Sequence, residues 1–574
     1  QSRFISNAAY AGDGGGIYWD GNRGDITWST FRYNRVEGSV GANTGFGGGL
    51  AISGIYTNAS NCIFEYNHAD VGGGGCAVKD SDVSCSSNIT VRDSIFEHND
   101  ADRDAGGLCW NDNSPYGTAI NCTFRYNHAK GSAGALGWHS DYGKVYNSTL
   151  EHNYATGQFG SEHPGHGGAM VFRGDHNFAY NCTFYNNTAA KDGGAVYMKL
   201  TQLGSNTNIT FELCRFINNT ANNNGGALAW ETGSTYGNVT QCNFTNNTAL
   251  RSGGAILWEG TYGFIEYSNF TSNKATGDVI DAIGGGDAGV ILWIGSHGYV
   301  NHCNFTDNFA AYRGGAVFLK GSTNTTFNDT LFKFNVAGTN GGAIDWQEGS
   351  HDGRLLNSVF INNTAWRSAG AVYWFGTNGT IYNSNFTNNT AVGNITKDDR
   401  AYLGNVYSTD GGNGGAVVWT GSLGTNSRVN FINNTAKALG GAMFLEQNDN
   451  VTISYANFTN NYAGINGGAL DWYKGAANGR VEYATFINNT AERSGGAIYW
   501  YGHNGTLYNV TFKNNRALGN AHYINPFGEN TTGGDGGAIF WTGYDGNVTI
   551  SKFINNTAAK RGGAVFLQGA SDYY

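Results

Sequence analysis

Glu231 and Glu259 each follow a tryptophan, Trp230 and Trp258, at the same place in a repeated stretch of sequence. If that stretch is a β-strand stacked on its own copy, the two carboxylates sit about 5 Å apart on an outer face. Carboxylates that close can share a proton, bind a cation, or divide into a general acid and a base. Lys199 holds the same place one repeat earlier, so a solvated Lys–Glu–Glu column is the alternative. Equivalent places elsewhere hold Lys79, Asn111 and His139; Lys320, Gln347 and Phe375; and Glu446, Tyr473 and Tyr501, so the pair occurs once. His163 and His166 share a loop and are the one histidine pair spaced to consider for a metal, against ordinary solvated loop residues. There is no H-E-x-x-H, no G-x-S-x-G elbow and no phosphate-binding Gly-Lys-Ser/Thr. No catalytic, cofactor or metal site is assigned, and no enzyme activity or cofactor is expected.

The nine cysteines are few for 574 residues. Six share one site, two residues before a recurring Phe: Cys62, Cys122, Cys182, Cys214, Cys242 and Cys303. Other repeats place Ser29, Ser94, Thr330, Ala456 or Val429 there, so the site calls for a small inward residue and buried free thiols. Cys182, Cys214 and Cys242 nevertheless fall on consecutive repeats, within the Cα range a disulfide accepts. Cys85, in a loop, and Cys109, facing outward on the next repeat, form the preferred single disulfide.

The elements that position these residues follow from an internal repeat. Two signatures alternate nineteen times each: Gly-Gly-Ala-aliphatic-x-aromatic, as at 253–258, and Phe-x-x-Asn-x-Ala, as at 486–491. With 89 Gly, 3 Pro, 13% charged and 14% aromatic residues, the chain is neither disordered, collagenous nor long-helical. A basic period of 26 to 28 residues, built from short β-prone runs, predicts an all-β, right-handed parallel β-helix of about nineteen coils. Two strands per coil are legible: the Gly-Gly-Ala strand and one such as 379–386. A four-coil pattern overlies the period, giving modules 14–132, 133–252, 253–368, 369–494 and a partial 495–574. We read 1–574 as one continuous β-helix, a fragment of a longer array whose export signal and anchor lie elsewhere. A net charge of −10 without a basic stripe argues against nucleic acid. No apolar run is long enough to span a bilayer.

Alternation then assigns faces. The fourth and sixth positions of the Gly-Gly signature point inward, and the sixth holds 12 of the 14 Trp. Those indoles are core and not a sugar platform, because Ile52, Val78 and Leu319 replace them in other coils. Asn occupies the third place after the Phe position in all nineteen copies, including Asn187, Asn219, Asn247, Asn273, Asn308, Asn335, Asn363, Asn389, Asn434, Asn461, Asn489, Asn515 and Asn556. Stacked amides can donate to one neighbour and accept from the other, so these residues form an asparagine ladder. The preceding residue is turned outward. Where it opens a sequon, at Asn186, Asn218, Asn246, Asn362, Asn388, Asn433, Asn488 and Asn555, it is a glycosylation candidate, partially occupied because coils are too close for glycans on every one.

The alternating Gly-Gly-Ala-Ile and Phe-x-x-Asn units resemble the repeats of chlamydial polymorphic outer-membrane proteins. The Phe-x-Asn-Asn-Thr-Ala form at 386–391 also resembles the large adhesin-like surface proteins of methanogenic archaea. The resemblance covers essentially the whole chain and implies an extracellular, cell-surface structural or adhesive role, as stalk, coat or fibre, with no catalytic residues to carry over. Implied partners are other copies of the chain, surface or envelope components, and glycans. The rival readings are a β-helical polysaccharide lyase or glycosidase, and a carbohydrate-binding module using outward Tyr373, Phe444, Tyr499, Phe540 and Phe566. Every fourth coil carries an insertion, at 37–46, 156–166, 276–287, 392–413 and 518–535. These loops should emerge on one flank and make the contacts, with Phe159, His163, Asp398, Asp399, Tyr402, Tyr523 and Phe527 as candidates.

Overall fold

A glycine pair opens each coil, and the second glycine is required by crowding. A Cβ on Gly254's counterparts Gly226 and Gly496 would overlap backbone of the neighbouring coils. The chain therefore runs backbone against backbone at this place, and Ala, the smallest side chain, follows. In the computed structural model, residues 1–38, 43–79, 86–159, 164–200, 207–277, 285–393, 411–524 and 530–568 are described. They are all-β: a parallel β-solenoid of about nineteen coils, with no helix among them. It follows that no helix of theirs is long and apolar enough to cross a membrane.

The chain divides into two units, Gln1–Gly286 with Val290–Gly295, and Asp287–Gly289 with Ser296–Tyr574. Each is a parallel β-helix with four strands per coil, twice the number legible in the sequence. In the first unit a representative coil runs Ile256–Trp258, Phe264–Glu266, Asn269–Thr271 and Lys274–Ala275. We call these the Trp, second, Phe and Ala strands. Each pairs in register with its counterpart in the preceding coil, as in Trp230↔Trp258, Val239↔Ile265, Phe244↔Phe270 and Ala249↔Ala275. The second unit repeats the scheme, with Trp346↔Trp374, Leu355↔Ile381, Phe360↔Phe386 and Ala365↔Ala391.

Left-handed corners make four short strands possible. Tyr262, Tyr267 and Ser272 take φ of 55°, 50° and 56°, five residues apart, and Gly253 takes 67° at the fourth corner. Such φ values favour Gly and Asn. That explains why the residue before the ladder is so often Asn: Asn186, Asn218, Asn246, Asn362, Asn388, Asn433, Asn488 and Asn555 all lie between 50° and 56°.

The inward faces carry three stacks. Asn363 Nδ2 donates to Asn389 Oδ1 at 3.0 Å in the next coil and to Phe332 O at 3.0 Å in the coil before, while Asn363 N also reaches Asn389 Oδ1 at 3.0 Å. The pattern runs from Asn7 to Asn273 in the first unit and from Asn308 to Asn556 in the second. Both amide hydrogens and the carbonyl are satisfied, which a buried polar side chain requires. Beside the ladder, Phe rings stack at 4.5–5.0 Å, as in Phe458–Phe486 and Phe486–Phe512. The Trp stack fills the rest, with Trp230–Trp258 at 4.1 Å and Trp472–Trp500 at 4.4 Å. Each Trp lies on a glycine at the start of the second strand; a Cβ on Gly237 would be 2.6 Å from Trp230 Nε1. Coils without Trp drop that glycine: Ile52 faces Thr57, Leu319 faces Thr325 and Leu445 faces Val451. The inward core is thus confirmed, and the indoles are not a sugar surface.

Candidate functional site

The carboxylate pair is committed to backbone. Glu231 Oε2 accepts from Leu200 N at 2.9 Å, and Glu259 Oε2 accepts from Thr232 N at 3.2 Å and Thr232 Oγ1 at 2.9 Å. Both are half-buried and reach back one coil to tie down the turn after the Trp strand. Of the histidine pair, His163 lies outside the described residues. His166 is buried, stacks on Tyr197 at 3.9 Å and accepts from Asp192 N at 3.3 Å through Nδ1. Burial drives its pKa down to about 3, with Lys191 and Lys199 adding to the effect, so it is a neutral packing residue.

The thiols correct the disulfide expectation where they are described. Cys182, Cys214 and Cys242 are free and buried. Each donates its S–H to the carbonyl two residues back: Tyr180 at 3.3 Å, Glu212 at 3.4 Å and Thr240 at 3.3 Å. Ser148 and Ser268 make the same bond at 2.8 Å in their coils. The site therefore accepts any small residue and rewards a donor, and the stacked sulfurs of Cys182, Cys214 and Cys242 lie next to one another as free thiols. Cys109 is likewise a free, buried thiol; Cys85 lies outside the described residues.

Of the outward aromatics offered for sugar binding, Phe444 and Phe540 are buried, and Tyr373, Tyr499 and Phe566 are half-buried. Phe444 and Phe540 are 1% and 7% exposed, and Tyr373 packs on the buried cluster of Ala369, Val418 and Phe444 beneath the segment that leads into the Gly-Gly pair. Several of the corner aromatics that reach solvent stack on one another, as Tyr33–Tyr66 at 5.2 Å and Tyr66–His98 at 4.9 Å do, whereas Trp28 and Tyr56 are 63% and 52% exposed.

The insertions have a built base that the sequence reading did not notice. Gly157 and Gly165, Gly393 and Gly412, and Gly519 and Gly534 flank three of them, all at positive φ, and each pair touches. Gly393 and Gly412 are so close that a Cβ on either would be 3.1 Å from the other's Cα. Gly38 and Gly45 pinch the first insertion in the same way, and Gly277 and Gly286 carry φ of 71° and 81° at the third. The re-entering amide bonds to the coil before: Gly286 N to Arg251 O, Gly412 N to Arg367 O and Gly534 N to Arg493 O. The chain can therefore leave and return without disturbing the coil. Of the loop candidates, Phe159 is 43% exposed. Tyr523 belongs to a short antiparallel hairpin, His522–Ile524 with Asn530–Thr532. His163, Asp398, Asp399, Tyr402 and Phe527 lie outside the described residues. The sequon Asn residues are exposed or half-buried at their corners.

One charged cluster escaped the sequence reading. Thr is the commonest residue to open the Ala strand, in eight of nineteen coils, but successive coils of the first unit place His68, Asp100 and His128 there, in register. Asp70, Asp102 and Lys130 follow two residues later on the same outward face. Asp100 bridges both imidazoles, with Oδ2 2.9 Å from His68 Nδ1 and Oδ1 2.5 Å from His128 Nδ1. Lys130 Nζ lies 2.6 Å from Asp102 Oδ1. The two histidines hold the Asp100 carboxyl below the usual carboxylate range against the opposing effect of burial. No motif signals this cluster because its members are 28 and 32 residues apart; only coil register unites them.

Three comparisons bear on this architecture. The Chlamydia polymorphic membrane protein repeat matches residues 181–199, 241–257 and 483–499, so the chain carries repeats of that type. A search of curated proteins finds no match. Among solved structures, the chain is similar to a mannuronic acid-specific family 6 polysaccharide lyase from human gut microbiota, at 8% identity and a TM-score of 0.24, covering 81% of each chain. It is also similar to the catalytic domain of a GH87 α-1,3-glucanase, at 10% identity and a TM-score of 0.24, covering 81% of this chain and 60% of that one. A PL6 family alginate lyase follows at 9% identity and a TM-score of 0.20, covering 98% and 97%.

Proposed function

We propose that this chain is an extracellular, cell-surface structural and adhesive protein, a β-helical stalk or coat element that presents its four-coil loops to neighbouring copies or to envelope and glycan partners. The observation that carries this reading is the recurrent glycine-pinched base of the insertions. A coil that keeps its four strands while an insertion of variable sequence leaves through a fixed exit is a display device, and loops on a rigid scaffold are the usual carriers of recognition. The chlamydial-type repeats support the surface location. The committed Glu231 and Glu259 carboxylates support the absence of hydrolase and lyase activity. The exposed corner positions of the sequon Asn residues support partial glycosylation.

The test shortens two loops inside their glycine pairs, removing 394–411 and 520–533. The expected product keeps its melting profile and loses self-association or surface adhesion. A trimmed protein that assembles and adheres as the parent does would reduce the loops to ornament. In parallel, turnover on any polysaccharide that vanishes in Glu259→Gln would overturn the non-enzymatic reading.

A further inference from the structure

The geometry points to a divalent transition-metal site, of the zinc class, on the outer face of the first unit, with His68, Asp70 and Asp102 as ligands. This goes beyond the surface role and does not depend on it. His68 and Asp70 lie on one face of one strand, two residues apart, and Asp102 stands beside Asp70 on the next coil, in the register fixed by Ala69↔Ala101. One ligand atom from each lies within 4.8 Å of the other two. His68 Nε2 is 3.3 Å from Asp70 Oδ1 and 3.8 Å from Asp102 Oδ1. Ligands about 2.0–2.1 Å from a tetrahedral ion stand about 3.3–3.4 Å from one another. The observed spacing is close to that edge and longer than a charge-assisted hydrogen bond of about 2.7–2.9 Å.

The second observation is the orientation of the ring. An ionised carboxylate only accepts, so Asp100 Oδ2 at 2.9 Å places a proton on His68 Nδ1. The neutral ring then carries its lone pair on Nε2, the nitrogen aimed at Asp70 and Asp102. That lone pair, flanked by two carboxylates, is what a cation seated between the three side chains would take up. A ligating histidine whose other nitrogen donates to a carboxylate is the arrangement that fixes tautomer and raises basicity in metal sites. Three carboxylates, Asp70, Asp100 and Asp102, gather around one ammonium, Lys130, and the imidazoles of His68 and His128. One nitrogen and two carboxylate oxygens suit zinc, cobalt or nickel, with water completing the shell. Lys130 is the built-in competitor, since its ammonium occupies Asp102 Oδ1. The rival account is a metal-free network in which a protonated His68 bridges the acids.

The experiment titrates the untagged, metal-stripped chain with Zn²⁺ by calorimetry and with Co²⁺ by visible absorption. One saturable equivalent and a tetrahedral cobalt band are expected. His68→Gln and Asp102→Asn should each weaken binding at least tenfold, whereas Lys130→Met, at an exposed ammonium, should tighten it severalfold. Lys130→Met also guards against misfolding, because a gain of affinity cannot come from lost structure. No saturable binding by the parent chain, or binding unchanged in His68→Gln, or no tightening in Lys130→Met, overturns the site and leaves the metal-free network.

Discussion

The two units share their inward faces and differ on the outer face of the Trp strand. In the first unit the outward residue of that strand is more often small: Ala77, Cys109, Val171 and Ala229 pack with the larger Tyr197 and Leu257 beneath Phe46, Val71, Ala105 and Ala133. In the second it is mostly aromatic or acidic: Phe318, Asp345, Tyr373, Phe444, Asp471, Tyr499, Phe540 and Phe566, with Val418 the exception. There arginines fill the layer: Arg313 pairs with Asp287 at 2.8 Å and lies 4.4 Å over Phe318, and Arg561 does the same with Asp535 and Phe566. The inner rows must match coil after coil because each side chain stacks on its own copy. The outer row meets a connecting segment that can vary with it. Fold is therefore held by the inside, and individuality lies outside.

The harshest way to break that equivalence is to attack the ladder. Asn363→Leu removes the donors to Asn389 Oδ1 and Phe332 O and leaves Asn335 without its acceptor. Each orphaned buried group costs about 1–3 kcal/mol, so a loss on the order of 3 kcal/mol is expected. Asn247→Leu, in the first unit, should cost the same. Denaturant melts check both, and a difference above about 1 kcal/mol between them would mean that the inner rows are not equivalent.

Next come the tryptophans and their glycines. Gly263→Val places a branched side chain into the Trp258 indole and should destabilise by about 2–3 kcal/mol through overpacking. Trp258→Leu should rescue much of that loss, since Leu319 and Leu445 coexist with Thr325 and Val451. Additive losses in the double variant would deny the coupling. The same pair in the second unit, Gly505 and Trp500, should behave alike.

The ladder, the inward Trp row and the small Cys/Ser site were legible because stacking forces each to repeat at a fixed offset. The co-variation of Trp with Gly was equally present in the sequence, five residues on at Gly263 and seven at Gly237. It does not stand out because Gly supplies 89 of the 574 residues. The second pair of strands was missed because the Ala strand has two residues, too few for an alternation pattern, and its Asn corners were read as sequons alone. The spacing of Glu231 and Glu259 suggested a facing pair, but each side chain turned to the nearest unpaired amide. His68, Asp70 and Asp102 were invisible because a site assembled across coils has no sequence spacing of its own.

The outer rows should respond oppositely to pH. In the second unit burial pushes Asp345 and Glu446 each up to about 7 and Asp471 well above its ordinary value, the last reinforced by Glu446. Neither oxygen of Asp471 has a hydrogen-bond partner among the described residues. These acids stay protonated in the fold while the unfolded chain ionises near 4, so the folded unit binds more protons between about pH 4 and 7 and loses stability as pH rises through that window. In the first unit burial pushes His139 down to about 4 and His166 to about 3. Below about 6.5 the unfolded chain takes up protons that the fold refuses, so this unit loses stability as pH falls. Asp192, pushed up by burial, and His68, pushed up by its hydrogen bond to Asp100, work against that trend. Each group should contribute about 1–2 kcal/mol across two pH units. Hydrogen exchange corrected for intrinsic rates, followed in both units from pH 5 to 8, should show crossing trends; parallel trends would refute the contrast. Asp471→Asn should flatten the second unit's slope.

The smallest effect sharpens the comparison by finding a difference that does not matter. Five of the six cysteines at the site before the Phe strand are in the first unit, and the second unit fills most of its copies with Thr330, Ser358, Ser384, Val429, Ala456, Ala484 and Val510. Cys214 donates to Glu212 O at 3.4 Å, and Ser358 donates to Leu356 O at 2.8 Å from the same position. A hydroxyl can therefore replace the thiol with its bond intact and little change in volume. Burial raises the Cys214 pKa well above its ordinary value, so no thiolate is available for exchange or oxidation. Cys214→Ser should shift stability by less than about 1 kcal/mol, and the parent's melting profile should be the same with and without reductant. A reductant-sensitive profile that Cys214→Ser abolishes would show a disulfide in the Cys182–Cys214–Cys242 column, and the first unit's thiols would then be a covalent staple that the second unit lacks.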